Sequence, residues 1–468
     1  MDIPPAKLVH STSHLMPGQL IVTELIFQVP LDYADPEGRQ ITLFARRATK
    51  HERPIFPPDS EDDEPPPPKP YMVYLEGGPG FGNREPQDHP LTRTAIARGY
   101  QMLYIDYRGV GLSTPVSAAM LATLLVDVDA QVKYLRLMRQ DNSVRDCEAI
   151  RRCLTQGWPA SKASWSIFGQ SYGGFVALSY LSMYPSGLRE VFLTGGLAPI
   201  GQPIESVYKA TFARTVHRNR QYFRKFPEDA TLLRRLAAYI REQGGAVPLP
   251  AGGILTVPRL MTLGIAFGGH GGFDSVHSLL LHLRASLDQF GFFTRATLQQ
   301  FETFTLFDSN IIYAILHEAI YCDGPGKPSN WAAYRVGRQK DLEPFFAWLK
   351  PDWDDADPVY FAGEMIFPLH FETYPELVSL RPVAEKLAAV DDWPRLYDEE
   401  QLRDNTVPVY AMSYIDDMYV DNNFARETAN LVKGTRVVET NVMYHSALRS
   451  KADEVLQALF SMRDDVLD

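Results

Sequence analysis

Ser166-Ile167-Phe168-Gly169-Gln170-Ser171-Tyr172-Gly173-Gly174 reads as a short apolar strand, a sharp turn flanked by glycine, and the start of a helix. This is the G-x-S-x-G arrangement of a nucleophile elbow, in which a strained turn pushes the serine hydroxyl out beyond the sheet. Side chains at Gly169 and Gly173 would collide with the neighbouring strand and helix. The helix behind Ser171 points its free N–H groups and the positive end of its dipole at any oxyanion formed there. Five letters of this kind also arise by chance, so the weight falls on what surrounds them.

Outward from the elbow, Tyr71-Met-Val-Tyr-Leu75, Met102-Leu-Tyr-Ile-Asp106 and Val191-Phe-Leu-Thr194 are near-continuous apolar runs, as parallel strands buried on both faces require. Helical patterns over 144–156 and 172–184 lie between them. The alternation predicts an α/β fold with a doubly wound, mostly parallel sheet. Upstream, 20–27 and 40–46 are β-rich and separated by the turn cluster 32–39, an antiparallel pair. Residues 51–70 carry many prolines and the acidic run Glu61-Asp-Asp-Glu64, a solvated loop. From about 200 to about 400 the pattern turns to amphipathic helices, such as 230–240 and 275–284, and reads as a helical cap inserted over the sheet. The α/β pattern resumes at Val407-Pro-Val-Tyr-Ala-Met-Ser413 and ends in a helix over about 446–462. The expected division is therefore 1–199 core, 200–400 cap and 401–468 core.

The chain has 468 residues, 45% of them hydrophobic and 22% charged, enough for a large core and two or three domain-sized units. A formal net charge of −11 argues against a nucleic-acid partner. The arginines of 214–224 alternate with apolar residues and read as one solvated helix face. No secretory leader or membrane-spanning run is visible, so no membrane partner is expected. Three cysteines, Cys147, Cys153 and Cys322, suit a reducing, cytoplasmic compartment. No metal-ligand spacing occurs: His317-Glu318 would need a histidine at 321 for a zinc-protease helix, and Tyr321 stands there. Neither a metal nor a cofactor is expected.

Glu76-Gly77-Gly78-Pro79-Gly80-Phe81-Gly82 directly follows the strand 71–75. Such a loop can bring a backbone N–H against a developing oxyanion. Gly78 is the expected donor, beside the N–H of Tyr172, since Pro79 has none. The G-x-G-x-x-G of a nucleotide loop is absent. Asp106-Tyr-Arg-Gly-Val-Gly-Leu-Ser113 reads as a tight loop walling the site. Asp416 and Asp417 follow the strand 407–413, and His445 follows the strand 437–443. Attack by a serine needs a base to take its proton and a carboxylate to orient that base. Ser, Asp and His stand in the chain order used by this elbow architecture.

Gly77-Gly-Pro-Gly80, Asp106-Tyr-Arg-Gly-Val-Gly111, Gly169-Gln-Ser-Tyr-Gly-Gly174, Asp417-Met418 and His445-Ser-Ala447 together resemble the proline iminopeptidase (prolyl aminopeptidase) family of α/β-hydrolases, in its larger subtype. The resemblance spans about 20–460. It implies a serine aminopeptidase that releases N-terminal proline from short peptides, with Ser171 as nucleophile, Asp417 as orienting acid and His445 as base. Asp416 is the fallback acid. Glu318 and Glu364 are the best matches to the cap glutamates that bind the substrate's free amine. One departure is Glu76, where the family often has histidine. The same core also serves esterases, amidases and non-catalytic binding proteins, and these alternatives stay open here. Homo-oligomerisation is compatible with all of them.

Overall fold

The structure is a computed structural model describing residues 2–52, 69–125, 127–305, 307–350, 353 and 360–465. Most of the proline-rich loop expected at 51–70 (residues 53–68) lies outside the described residues. The strands in chain order are β1 (Lys7–Met16), β2 (Leu20–Pro30), β3 (Gln40–Lys50), β4 (Tyr71–Leu75), β5 (Gln101–Ile105) and β6 (Trp165–Gln170). Then come β7 (Leu188–Thr194), β8 (Val247–Pro248), β9 (Ile254–Leu255), β10 (Val409–Tyr414) and β11 (Thr435–Thr440). Nine of them form one sheet in the order β1-β2-β3-β5-β4-β6-β7-β10-β11. From β5 to β11 neighbours run parallel, while β1, β2 and β3 are antiparallel to their neighbours. The expected pairing of 20–27 with 40–46 is the β2–β3 ladder.

Period-two alternation explains why the central runs are apolar throughout. Tyr71, Val73, Leu75, Leu103, Ile105 and Ile167 face one core cluster, packed under the helices Gln140–Leu154 and Tyr172–Met183. Met72, Tyr74, Met102, Tyr104, Phe168 and Phe192 face the other, under Pro90–Ala97 and Ala452–Asp464. The helix expected at 446–462 is two pieces, Ala447–Ser450 and Ala452–Asp464.

Above the sheet, the helices Ile204–Lys225, Asp229–Glu242 and Gly272–Phe290 build a cap with its own apolar cluster, into which the small β8–β9 hairpin also packs. That cluster draws on 204–301 and 332–367, whereas buried residues of 307–322 and 366–402 belong mainly to the sheet's cluster. The interval 200–400 is thus not one packing unit. The arginines of 214–224 are not one solvated face either. Arg218 is buried, and its Nε and Nη2 donate to the Phe267 carbonyl at 3.1 and 2.8 Å.

β1 was not expected. None of its residues is buried, so it carries no core-facing alternation to read.

The crossing of β4, β6 and the helix after Ser171 is packed to backbone contact. A Cβ on Gly173 would lie 2.0 Å from the Leu75 carbonyl oxygen, and one on Gly174 2.3 Å from that of Gly196. Gly173→Ala is therefore expected to cost about 1–3 kcal/mol or more, because main chain rather than a flexible side chain must yield. A urea midpoint equal to that of the parent would contradict this.

Candidate active site

Each chemical group of the site sits at the carboxyl end of a parallel strand. Ser171 follows β6 with φ 55 and ψ −123, a conformation that L-residues adopt only under constraint. Its N–H donates to the Thr194 carbonyl at 3.0 Å and its carbonyl accepts from Gly174 N–H at 2.8 Å, which fixes the turn. His445 follows β11. Its Nε2 lies 2.7 Å from Ser171 Oγ, and its Nδ1 lies 2.7 Å from Asp417 Oδ2. All three residues are buried. Asp417 Oδ1 accepts the N–H groups of Tyr419 (2.8 Å) and Val420 (3.1 Å), so the carboxylate cannot rotate away. Asp416 is partly exposed, 3.9 Å from Arg214. The sequence left the two aspartates unresolved; the structure brings Asp417 to the imidazole.

Burial alone would lower the pKa of His445. The charge and hydrogen bond of Asp417, with Glu364 adding to them, outweigh it, and the net direction is upward.

The glycine loop 77–82 lies against this group. A Cβ on Gly77 would come within 3.2 Å of Ser171 Cβ. Gly77 N–H is taken by Glu76 Oε1 at 2.9 Å. Among the described residues neither Gly78 N–H nor Tyr172 N–H has a hydrogen-bond partner. Gly78 lines the same cavity as Ser171, and Tyr172 opens the helix behind it. The tight loop expected at 106–113 is fixed by Asp106, whose oxygens accept from Asn83 N–H (2.7 Å) and Leu112 N–H (3.0 Å), but none of its residues lines the Ser171 cavity. Arg108 is not in the site: it is fully buried in a fork with Asp146.

Ser171 and His445 open into a cavity of about 540 Å³, within the range of small-ligand sites. Its walls are largely aromatic and apolar, with Phe81, Ile265, Phe307, Tyr313 and Tyr419 among them, and Glu364 is its carboxyl. Tyr313 OH donates to Glu364 Oε1 at 2.6 Å. Burial raises the Glu364 carboxyl to about 7, against the lowering effects of His445 and Tyr313.

Glu318 is placed differently. Its Oε1 and Oε2 accept the N–H groups of Ala333 (2.9 Å) and Ala332 (3.2 Å), which open the helix Ala332–Gly337. It borders a void of about 20 Å³, room for a single water, rather than the Ser171 cavity. Burial also raises its carboxyl to about 7. Of the two glutamates expected around an amine, the structure brings only Glu364 to the nucleophile's cavity.

Tyr313 and Tyr419 were not expected from sequence. Tyr313 stacks on the buried His317 at 5.0 Å, and Tyr419 meets the His445 ring edge-on at 4.7 Å. The signals available were proximity to His317-Glu318 for one and to Asp417 for the other. Among the described residues one set of side chains has metal-ligand spacing: Glu228, Asp229 and His277 in the cap. None of these lines the Ser171 cavity, and Asp229 already accepts from Tyr222 and His277. No described helix is long and apolar enough to cross a membrane.

The profile described as "Serine aminopeptidase, S33" matches residues 80–241, from the glycine loop through the elbow into the cap. Proline iminopeptidase aneH of Aspergillus aculeatus is 38% identical over 467 residues, covering 100% of this chain and 99% of that one. The proline iminopeptidase of Aeromonas sobria is 38% identical over 442 residues, covering 94% of this chain and 96% of that one. Agreement over essentially the whole of both chains extends through core and cap alike, and the chain belongs to the proline iminopeptidase family of α/β-hydrolases.

Proposed function

We propose that the protein is a serine aminopeptidase that releases N-terminal proline from short peptides through an acyl-enzyme. The observation that carries this is the chain of two 2.7 Å hydrogen bonds from Ser171 Oγ through the imidazole of His445 to Asp417. In the proposal, neutral His445 Nε2 takes the Ser171 proton as Oγ attacks the prolyl carbonyl. The imidazolium is held by ionised Asp417. The oxyanion is met by the N–H groups of Gly78 and Tyr172, which are unspent among the described residues. Collapse of the tetrahedral adduct breaks the C–N bond, and His445 returns the proton to the departing amine. A water, deprotonated by the same nitrogen, then cleaves the prolyl ester and frees proline.

Selection for an N-terminus follows from Glu364. A carboxylate among aromatic walls is costly to keep ionised alone, and an incoming protonated prolyl nitrogen supplies the counter-charge. Glu318, with both oxygens on backbone N–H groups, holds the start of the helix Ala332–Gly337 rather than meeting the amine. Three unpaired cysteines fit a cytoplasmic setting.

Hydrolysis of a panel of aminoacyl anilides beside N-acetylprolyl anilide tests the reading. The prolyl compound is expected to lead, and acetylation, which removes the charge, to abolish turnover. Equal rates for the free and acetylated compounds would return the protein to the general esterases and amidases.

A further inference from the structure

Among the described residues that line the Ser171 cavity there is one carboxyl, Glu364, and one fixed cation, the guanidinium of Arg449. Both act on the imidazole: Glu364 raises the pKa of His445 and Arg449 lowers it. The charges acting on Glu364 are those of His445 and Asp417. The cavity therefore carries opposite charges that both reach the general base.

Arg449 belongs to the short helix Ala447–Ser450 that follows His445. Its side chain is 51% exposed, and its ion pair is loose, with Nη2 3.5 Å from Glu76 Oε1. Among the described residues it makes no hydrogen bond. Glu76 Oε1 already accepts Gly77 N–H at 2.9 Å. It holds the guanidinium by charge and leaves the N–H fork unspent. Glu76 is the position where the glycine loop departs from the histidine common in the family, and here it gives the rim arginine an anchor.

The direction of the reaction decides which part of a substrate meets Arg449. With the prolyl nitrogen at Glu364 and the prolyl carbonyl at Ser171 Oγ, the departing amine lies at His445 Nε2, which hands it a proton. Residues beyond that amine run out along the segment after His445, where Ser446 and Arg449 line the cavity. A short unblocked peptide ends there in a carboxylate, which a free guanidinium fork matches bidentately. Each further residue carries the carboxylate outward by up to about 3.3–3.6 Å, so that of a longer peptide passes the rim into solvent.

We propose that Arg449 is a carboxylate subsite: it takes the free C-terminus of a di- or tripeptide whose N-terminal proline is held at Glu364, and selects short, unblocked peptides. The subsite rests on the aminopeptidase reading of Ser171, His445 and Glu364.

Pro-Ala and Pro-Ala-Ala, each as free acid and as C-terminal amide, test it at pH 8 and low ionic strength. The parent is expected to show a kcat/KM about ten-fold higher for the free acid, mostly through KM, the scale of one charge-assisted contact that water partly screens. The advantage should shrink in about 0.5 M salt and vanish for a prolyl peptide of about six residues. Arg449→Met should bring the acid-to-amide ratio close to one. Arg449→Lys should keep part of it, since the charge stays while the fork is lost. Arg449→Glu should prefer the prolyl amide of ethylenediamine, whose far end is an ammonium, to Pro-Ala. Each readout is a ratio within one protein, so a general loss of activity or of folded protein cancels. A parent that cleaves amides as fast as free acids, an advantage that persists at six residues, or a ratio unmoved in Arg449→Met would overturn the subsite and leave the aminopeptidase standing. Failure of every prolyl substrate, amides and anilide included, would instead overturn the aminopeptidase reading and the subsite with it.

Discussion

Ser171→Ala is expected to lower kcat on a prolyl anilide by roughly a million-fold while leaving the fold in place. His445→Ala should cost about as much, and the double variant little more, because the two groups act as one device. Asp417→Asn should cost less, roughly ten-thousand-fold, since an amide can still hold the ring but favours the wrong tautomer. The alanine variant is informative because it keeps a Cβ. Ser171 sits at φ 55, a strained conformation costing about 1–3 kcal/mol, and alanine bears the same strain. Its urea midpoint should therefore match the parent's, which isolates the lost hydroxyl from any change in folding. A fluorophosphonate should label the parent at Ser171 and leave the variant unlabelled. Undiminished turnover by Ser171→Ala would remove the acyl-enzyme from the mechanism.

The electrostatics around the imidazole set the pH at which this works. His445 must be neutral to accept a proton, and Asp417 and Glu364 together hold its pKa above the ordinary value. Glu364 in turn is held down in part by His445. The two groups titrate as a coupled pair, so the acid limb of the rate profile belongs to both.

Much of this was legible in the sequence because burial on both faces leaves a mark. β4, β5, β6 and β7 lie in the centre of the sheet, every residue of them but Arg189 is buried, and their middles read as near-continuous apolar runs. The elbow was legible because Gly169, Gly173 and Gly174 stand where a Cβ would strike main chain. What stayed hidden was whatever depended on distant partners. β1 buries nothing, so no periodicity betrays it. Asp416 and Asp417 are identical in type and adjacent, and only the N–H groups of Tyr419 and Val420 select one. Glu318 and Glu364 both sit among apolar residues. They part company because the helix opening at Ala332 takes the oxygens of one and leaves the other to the cavity.

That separation gives the second large effect. Glu364→Gln is expected to reduce kcat/KM on prolyl anilide by about a hundred- to a thousand-fold, as removal of one partner from a buried charge pair costs about 2–5 kcal/mol. Hydrolysis of a simple ester without an amine should change little at pH 8. Two further readouts separate recognition from general damage. First, loss of the carboxylate removes an attraction on the His445 imidazolium, so the acid limb of ester hydrolysis should move to lower pH. Second, a carboxyl raised to about 7 in the folded state, against about 4.3 when unfolded, binds more protons folded than unfolded between those values. Stability then falls as pH rises through that window. Glu364→Gln lifts this penalty, so it should melt higher than the parent at pH 8 and gain least near pH 4. Glu318→Ala is the contrast: it leaves two helix N–H groups without acceptors, so it should melt lower and lose ester and anilide activity in parallel. If Glu318→Ala instead lost only amine-bearing substrates while Glu364→Gln lost both classes alike, the assignment of the amine to Glu364 would be reversed.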